Sequence, residues 1–167
     1  MTEVALSIGS NLGDRMSHLN SALTALEANT GRILAVSSVY ESAPVGGPEQ
    51  DSYLNAAVVI DTQLAPLELL AVIHQIEAGQ GRTREVHWGP RTLDIDIVDV
   101  VGFHSSHDQL CVPHRQAGSR AFVLAPLNEI APEWKLGGEL SVAALLEGVA
   151  DQEVILRTEL KLVGMNK

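Results

Sequence analysis

The stretch that most restricts how this chain can fold is Thr92-Leu93-Asp94-Ile95-Asp96-Ile97. Apolar Leu93, Ile95 and Ile97 alternate with Thr92, Asp94 and Asp96, the period of a strand with one buried face. A chain carrying it must supply a core for the apolar side. Successive side chains point to opposite faces, so Asp94 and Asp96 share a side, their backbone positions about 6.5–7 Å apart. Two carboxylates so close repel unless a cation lies between them, and paired metals in phosphate sites stand about 3.5–4 Å apart. Arg91, just before them, can grip a phosphate through two donors. The stretch reads as metal plus phosphate. The simpler reading is two solvated acids on an exposed sheet face.

The chain has 167 residues, which predicts one domain over residues 1–167 with room for a real core. A 46% hydrophobic and 19% charged composition is globular rather than disordered. The one cysteine, Cys111, excludes an intrachain disulfide. With no signal peptide and no apolar run that could span a bilayer, the expectation is a cytoplasmic protein with no membrane partner. A net charge of −10 argues against broad nucleic-acid binding. It leaves room for a small anion, because Arg82, Arg84 and Arg91 face only Glu85 between positions 82 and 91.

Val4, Leu6 and Ile8 predict a first strand. Gly9 to Asp14 is a turn that resembles a glycine-rich phosphate loop but lacks its Lys-Ser/Thr pair. Asp14 suits an N-cap, Met16, Leu19, Leu23 and Leu26 recur at helical spacing, and Gly31 ends that helix. Ile33 to Tyr40 and Tyr53 to Asp61 read as strands. Pro66 opens a second helix buried through Leu69, Val72, Ile73 and Ile76. After the acidic strand, Asp99 falls out of phase. It predicts a strand end or bulge there, with Asp99 solvated or serving as a third metal ligand. Phe103 to Gln109 reads as a loop whose His104 and His107 lack a full metal set. Arg120 to Leu127 reads as a short helix, and Ser141 caps another containing Val142, Leu145, Leu146 and Val149. Val154 to Leu162 alternates as a final edge strand. Strand, helix, strand, strand, helix, strand is the split βαβ order of a ferredoxin-like α+β fold. Helices would pack on an antiparallel sheet, extended by the C-terminal elements.

Several side chains are candidates for a site. Tyr53 and Asn55 share a strand face, a suitable wall for a flat heterocycle with donors and acceptors on its rim. The loop from Ser42 to Pro48 is dense in Pro and Gly, as binding loops often are. Glu77 stands just before Gly79-Gln80-Gly81-Arg82, where its carboxylate could hold an arginine. Thr83 to Pro90, with Trp88 near its end, is a candidate lid. His114 and Arg120, at a loop–helix junction, suit an anion.

The chain resembles the 6-hydroxymethyl-7,8-dihydropterin pyrophosphokinases of folate biosynthesis over nearly its whole length. The resemblance rests on Ser7 to Asp14, on Tyr53-Leu54-Asn55-Ala56-Ala57, and on Glu77 through Arg82. It is strongest in Arg91-Thr92-Leu93-Asp94-Ile95-Asp96 and in Val112-Pro113-His114 followed by Arg120-Ala121-Phe122. It implies transfer of pyrophosphate from ATP to the pterin hydroxymethyl group, with AMP released. By that resemblance Asp94 and Asp96 hold two Mg²⁺ ions. Arg82, Arg91, His114 and Arg120 neutralise the phosphates, with Arg82 and Arg91 among the catalytic groups. Glu77, Arg84 and Ile97 complete the nucleotide side. Tyr53 and Phe122 sandwich the pterin and Asn55 bonds its edge. Ser42, Pro44, Val45 and Gly46 line the same pocket, and Trp88 closes over it. A monomer is expected. The chain departs from the usual pattern at Gln109, Cys111 and Arg115, on the side assigned to adenosine, and its mobile loop is one residue shorter. Two other readings use the same residues: a two-metal nucleotidyltransferase attacking the α-phosphorus, and a non-catalytic ferredoxin-like binding module.

Overall fold

The computed structural model describes residues 1–44, 47, 49–81 and 91–163. β1 (Thr2–Ser10) leads into α1 (Arg15–Asn29), β2 (Gly31–Val36), β3 (Tyr40–Ser42), β4 (Tyr53–Thr62), α2 (Pro66–Gly79) and β5 (Asp94–Val100). A hairpin of β6 (Ser105–His107) and β7 (Leu110–Val112) follows, then α3 (Ala121–Ile130), α4 (Val142–Glu147) and β8 (Ile155–Leu156). The main sheet runs β5-β1-β4-β3-β8, with β2 also on β4. All its pairs are antiparallel. β4 therefore lies between β1 and β2, the split βαβ arrangement expected from the element order.

Local chemistry fixes the helix ends. Asp14 accepts from Ser17 N at 3.1 Å as the N-cap of α1, and Pro66 occupies the first turn of α2. Past the end of α1, the Thr30 N–H and hydroxyl both donate to Leu26 O. Gly31 comes next with φ 150°, where a Cβ would lie 2.2 Å from Asp61 O, so only glycine fits.

One sheet face is predominantly apolar. Leu6, Ile8, Leu54, Val58, Ile60, Ile95 and Ile97 meet Leu19, Leu23 and Leu26 of α1 and Leu69 and Ile73 of α2. Fully burying each such side chain stabilises the fold by about 1.5–3 kcal/mol. The second face is divided. At one end Ala5, Ala57, Val59 and Val98 are covered by Val123, Leu124 and Leu127 of α3 and by Val142. At the other end Ser7, Gly9, Asn55, Asp94 and Asp96 line a cavity.

Four expectations need correction. The strand Ile33–Tyr40 is broken into β2 and β3, because the Ser37 hydroxyl accepts from Ala57 N at 2.8 Å and so takes the place of a ladder bond. Tyr40 then donates to Glu129 at 2.8 Å, and burial and that carboxylate push its hydroxyl pKa up. Phe103–Gln109 is not all loop, since Ser105–His107 pairs with Leu110–Val112. The helix after Ser141 stops at Glu147, short of Val149, though Ser141 does accept from Ala144 N as its cap. The final strand Val154–Leu162 shrinks to Ile155–Leu156, both exposed. Past them Arg157 pairs with Glu41, a carboxylate also bonded by Ser52 and Arg15 and held below the usual carboxylate range by these contacts.

Candidate functional site

The divided face creates the site. Across the sheet, Gly9 stands between Asn55 on β4 and Asp94 on β5, and Ser7 stands between Ala57 and Asp96. Small residues on the central strand leave a low floor between polar neighbours. A Cβ on Gly9 would press within 3.2 Å of Asn55 Oδ1 and 3.4 Å of the Tyr53 ring. Above this floor is a cavity of about 250 Å³. Tyr53 and Phe122 supply its aromatic walls, with Ser42, Pro44 and Asn55 beside them. Asn55 is buried and oriented by its Nδ2 donating to Ser42 Oγ at 2.8 Å.

Arg91, Asp94, Asp96, His114 and Arg120 also line this cavity. The first four of them border a second cavity of about 430 Å³ on the far side. The acid pair therefore stands where two cavities meet. The second contains Glu77 and Ile97, as well as Gln109, Cys111 and Arg115, the positions that depart from the usual pattern. Arg115 donates to Cys111 Sγ at 3.4 Å. Leu70 and His74 of α2 complete that wall.

Asp94 and Asp96 are both half-buried, on one strand face. Arg91 Nη1 lies 3.3 Å from Asp94 Oδ1. Its backbone is pinned twice by buried Asn11, whose Oδ1 accepts from Arg91 N at 2.8 Å and whose N–H donates to Arg91 O at 3.1 Å. Asn11 Nδ2 also donates to Gln50 Oε1 at 2.7 Å and Asp51 O at 3.0 Å, so the glycine-rich turn ties two loops together. Glu77 is 2% exposed. Its Oε2 accepts from Ile95 N at 2.9 Å, covering an N–H of the edge strand. His114 is held by its N–H to Val98 O at 2.8 Å, and its Nδ1 accepts from Gln116 N at 3.2 Å. Burial and the Arg120 charge push the imidazole pKa down, while Asp94 pulls it up. A neutral ring with Nδ1 accepting carries its proton on Nε2.

Among the described residues no group of three His, Cys, Asp or Glu could hold a metal ion. The donor set at the cavity junction is two carboxylates. That fits Mg²⁺, which is usually bound through one or two carboxylates with substrate phosphates and water completing its shell.

Arg82, Arg84, Trp88, Val45 and Gly46 lie outside the described residues. Every other expected site residue borders one of the two cavities. Of the first cavity's lining, three residues escaped the sequence reading: Ser7, Gln50 and Gln116. Ser7 was within reach, because it keeps phase with Gly9 on the first strand; the other two sit in loops without a period. Asp99 was misread. The pairing with β1 slips between Ala5 and Leu6, so the predicted bulge is present. Asp99, however, is buried at 3% exposure. Its carboxylate accepts from Trp134 Nε1 at 2.9 Å, Gly137 N at 3.1 Å and Val100 N at 3.0 Å.

The family model for 7,8-dihydro-6-hydroxymethylpterin-pyrophosphokinase (HPPK) matches residues 5–132. A 2-amino-4-hydroxy-6-hydroxymethyldihydropteridine pyrophosphokinase of Methylorubrum extorquens is 48% identical over 87% of this chain and 92% of its own length. One from Bacillus subtilis is 46% identical over 77% of each chain. A crystal structure of Plasmodium falciparum HPPK-DHPS with pterin and p-hydroxybenzoate shares the fold at TM-score 0.73 and 17% identity, over 90% of this chain and 43% of that one. No helix among the described residues is long and apolar enough to cross a membrane. With its acidic strand, its aromatic slot and its sequence likenesses in agreement, this chain belongs to the 7,8-dihydro-6-hydroxymethylpterin-pyrophosphokinase family, enzymes of pyrophosphoryl transfer in folate synthesis.

Proposed function

We propose that the chain transfers the pyrophosphoryl group of ATP to the hydroxymethyl group of 6-hydroxymethyl-7,8-dihydropterin, giving AMP and the pterin diphosphate. The observation that carries this reading is the junction of two cavities at Asp94 and Asp96, one of them walled by aromatic rings. The pterin occupies the slot between Tyr53 and Phe122, with its polar edge toward Asn55. The nucleotide lies in the second cavity, past Glu77 and Ile97, and its phosphates reach the junction.

The hydroxymethyl oxygen attacks the β-phosphorus, the bond from that phosphorus to the α–β bridging oxygen breaks, and AMP leaves. The hydroxyl proton passes to water. Transfer of this kind asks little covalent chemistry of the protein and much alignment and charge stabilisation. Arg91 and Arg120 offer paired donors to phosphate oxygens. His114 donates from Nε2 as a neutral ring. The slot holds the acceptor oxygen against the phosphate, which turns a meeting of two substrates into a local event. Asp94 and Asp96 would hold Mg²⁺, which when bound offsets phosphate charge and lowers the cost of ionising the hydroxyl.

Incubation with ATP, Mg²⁺ and the hydroxymethyl-dihydropterin should release AMP in step with pterin diphosphate. Release of inorganic pyrophosphate instead would mean attack at the α-phosphorus and would overturn the reading.

A further inference from the structure

Helix α3 starts on a residue unsuited to start a helix. N-cap positions favour Ser, Thr, Asp or Asn, whose side-chain oxygen accepts from first-turn N–H groups. Here the N-cap is Arg120, extended at φ −123° and ψ 112°, with no cap bond from its own side chain. A guanidinium has donors only and cannot play that part. The acceptor comes from a residue 31 positions beyond Ala121: Gln152 Oε1 accepts from Ala121 N at 2.9 Å. The same amide donates through Nε2 to Ser119 O at 2.9 Å. One side chain thus bridges the residues on either side of Arg120.

Gln152 is itself anchored. Its N–H donates to Val149 O at 3.0 Å, and Val149 is buried with Val142 in the core under α3 and α4. Arg120 has Cζ 5.5 Å from the Phe122 ring centroid and donates to Gln116 Oε1. Arg120, Phe122 and Gln116 line the aromatic cavity, whereas Gln152 is absent from that lining and borders an adjoining hollow that shares those three residues.

We propose that Gln152 is a positioning residue for pyrophosphoryl transfer: it caps α3 in place of Arg120 and so keeps the Arg120 guanidinium directed at the phosphates. This rests on the phosphate-binding role given to Arg120 above. Gln152 lies beyond residues 5–132, the part matched by the family model, so the device belongs to the C-terminal segment. Without the amide, the Ala121 N–H and Ser119 carbonyl turn to water, the turn before α3 loosens, and Arg120 spreads over more directions.

The test is a mutant cycle with ATP, Mg²⁺ and hydroxymethyl-dihydropterin, each variant's thermal midpoint being measured alongside. Gln152→Ala should lower kcat/KM about 2- to 30-fold, the span of a lost cap if all of it reached the transition state. Gln152→Glu keeps the acceptor for Ala121 N but loses the donor to Ser119 O, so it should recover only part of that loss. Arg120→Ala should cost more, and adding Gln152→Ala to it should cost nothing further, because the two act as one unit. An equal kinetic loss from Gln152→Ala in both backgrounds, or none in either, would overturn the proposal. Wild-type turnover by Arg120→Ala alone would instead remove the phosphate role of Arg120, and this inference with it.

Discussion

Strand β5 carries three aspartates on one face of the sheet, and its two ends treat them in opposite ways. The bulge brings Asp99 round to the side of Asp94 and Asp96. Asp99 is enclosed by the segment that follows α3 and accepts from an indole and two backbone N–H groups. It is a buried acceptor engaged three times by its own chain. Asp94 and Asp96 are half-buried and border both cavities, with Arg91 beside them. Residue type, strand and face are shared. What differs is the cover: α3 and the Trp134 segment pack over Val98 and Asp99 and stop short of Asp96. A site arises here where the second layer of the fold ends.

The largest effects should come from exchanging the two roles. Asp94→Ala or Asp96→Ala should lower AMP release about a thousandfold or more, on the scale of losing a principal electrostatic group. The thermal midpoint should stay near that of the wild type, since neither side chain is core. Asp99→Ala should do the reverse. It strips three donors of their acceptor, the Val100 N–H buried and the Trp134 and Gly137 groups part-buried, so urea denaturation should show a loss of about 1–3 kcal/mol, while turnover per folded molecule stays close to normal. A catalytic collapse in Asp99→Ala with stability unchanged would erase the distinction between the two ends.

This contrast also marks where sequence reading stops. The alternation from Leu93 to Ile97 was legible because period 2 is a local property. So were the caps at Asp14 and Ser141, each set by a side chain and an N–H three residues on. The bulge at Asp99 was legible too, as a broken phase. The identity of what covers Asp99 was not, because Trp134 lies 35 residues away and only packing brings it near. Val154–Leu162 failed for a related reason: alternation makes a strand only where a partner edge exists, and β3 offers three residues. Ser37 broke the second strand through one hydroxyl that no periodicity records. Of the site, the motif residues were readable by likeness, whereas Gln50 and Gln116 enter it through loop hydrogen bonds.

A smaller effect should follow from raising the floor of the open end. In Gly9→Ala the new methyl meets Asn55 Oδ1 at 3.2 Å and the Tyr53 ring at 3.4 Å. Both groups must give by a few tenths of an ångström, and both line the cavity where the pterin is proposed to bind. The expected result is a rise in KM for the pterin of about tenfold, the order of a 1.4 kcal/mol misfit, with KM for ATP little changed. Equal rises for both substrates would mean that the slot and the nucleotide cavity are not separate.

The subtlest difference between the two ends should appear in one proton. Burial and Arg120 hold the His114 pKa below its ordinary 6.5, and Asp94 opposes them. Because the folded value is the lower one, the unfolded chain binds more protons as pH falls past 6.5. The stability contributed by neutral His114 is therefore full above that pH and is lost on acidification. Wild-type protein should weaken between pH 7.5 and pH 5 by more than His114→Gln does, as read by urea denaturation. The aspartates then separate by their reach. Asp94→Asn removes a carboxylate that favours the imidazolium, so the His114 titration followed by NMR should move to still lower pH. Asp99→Asn should leave it in place, because that carboxylate is enclosed by Trp134, Gly137 and Val100. An equal displacement by both variants would show that the covered and open ends of β5 share one electrostatic environment, and the division argued from their packing would fail.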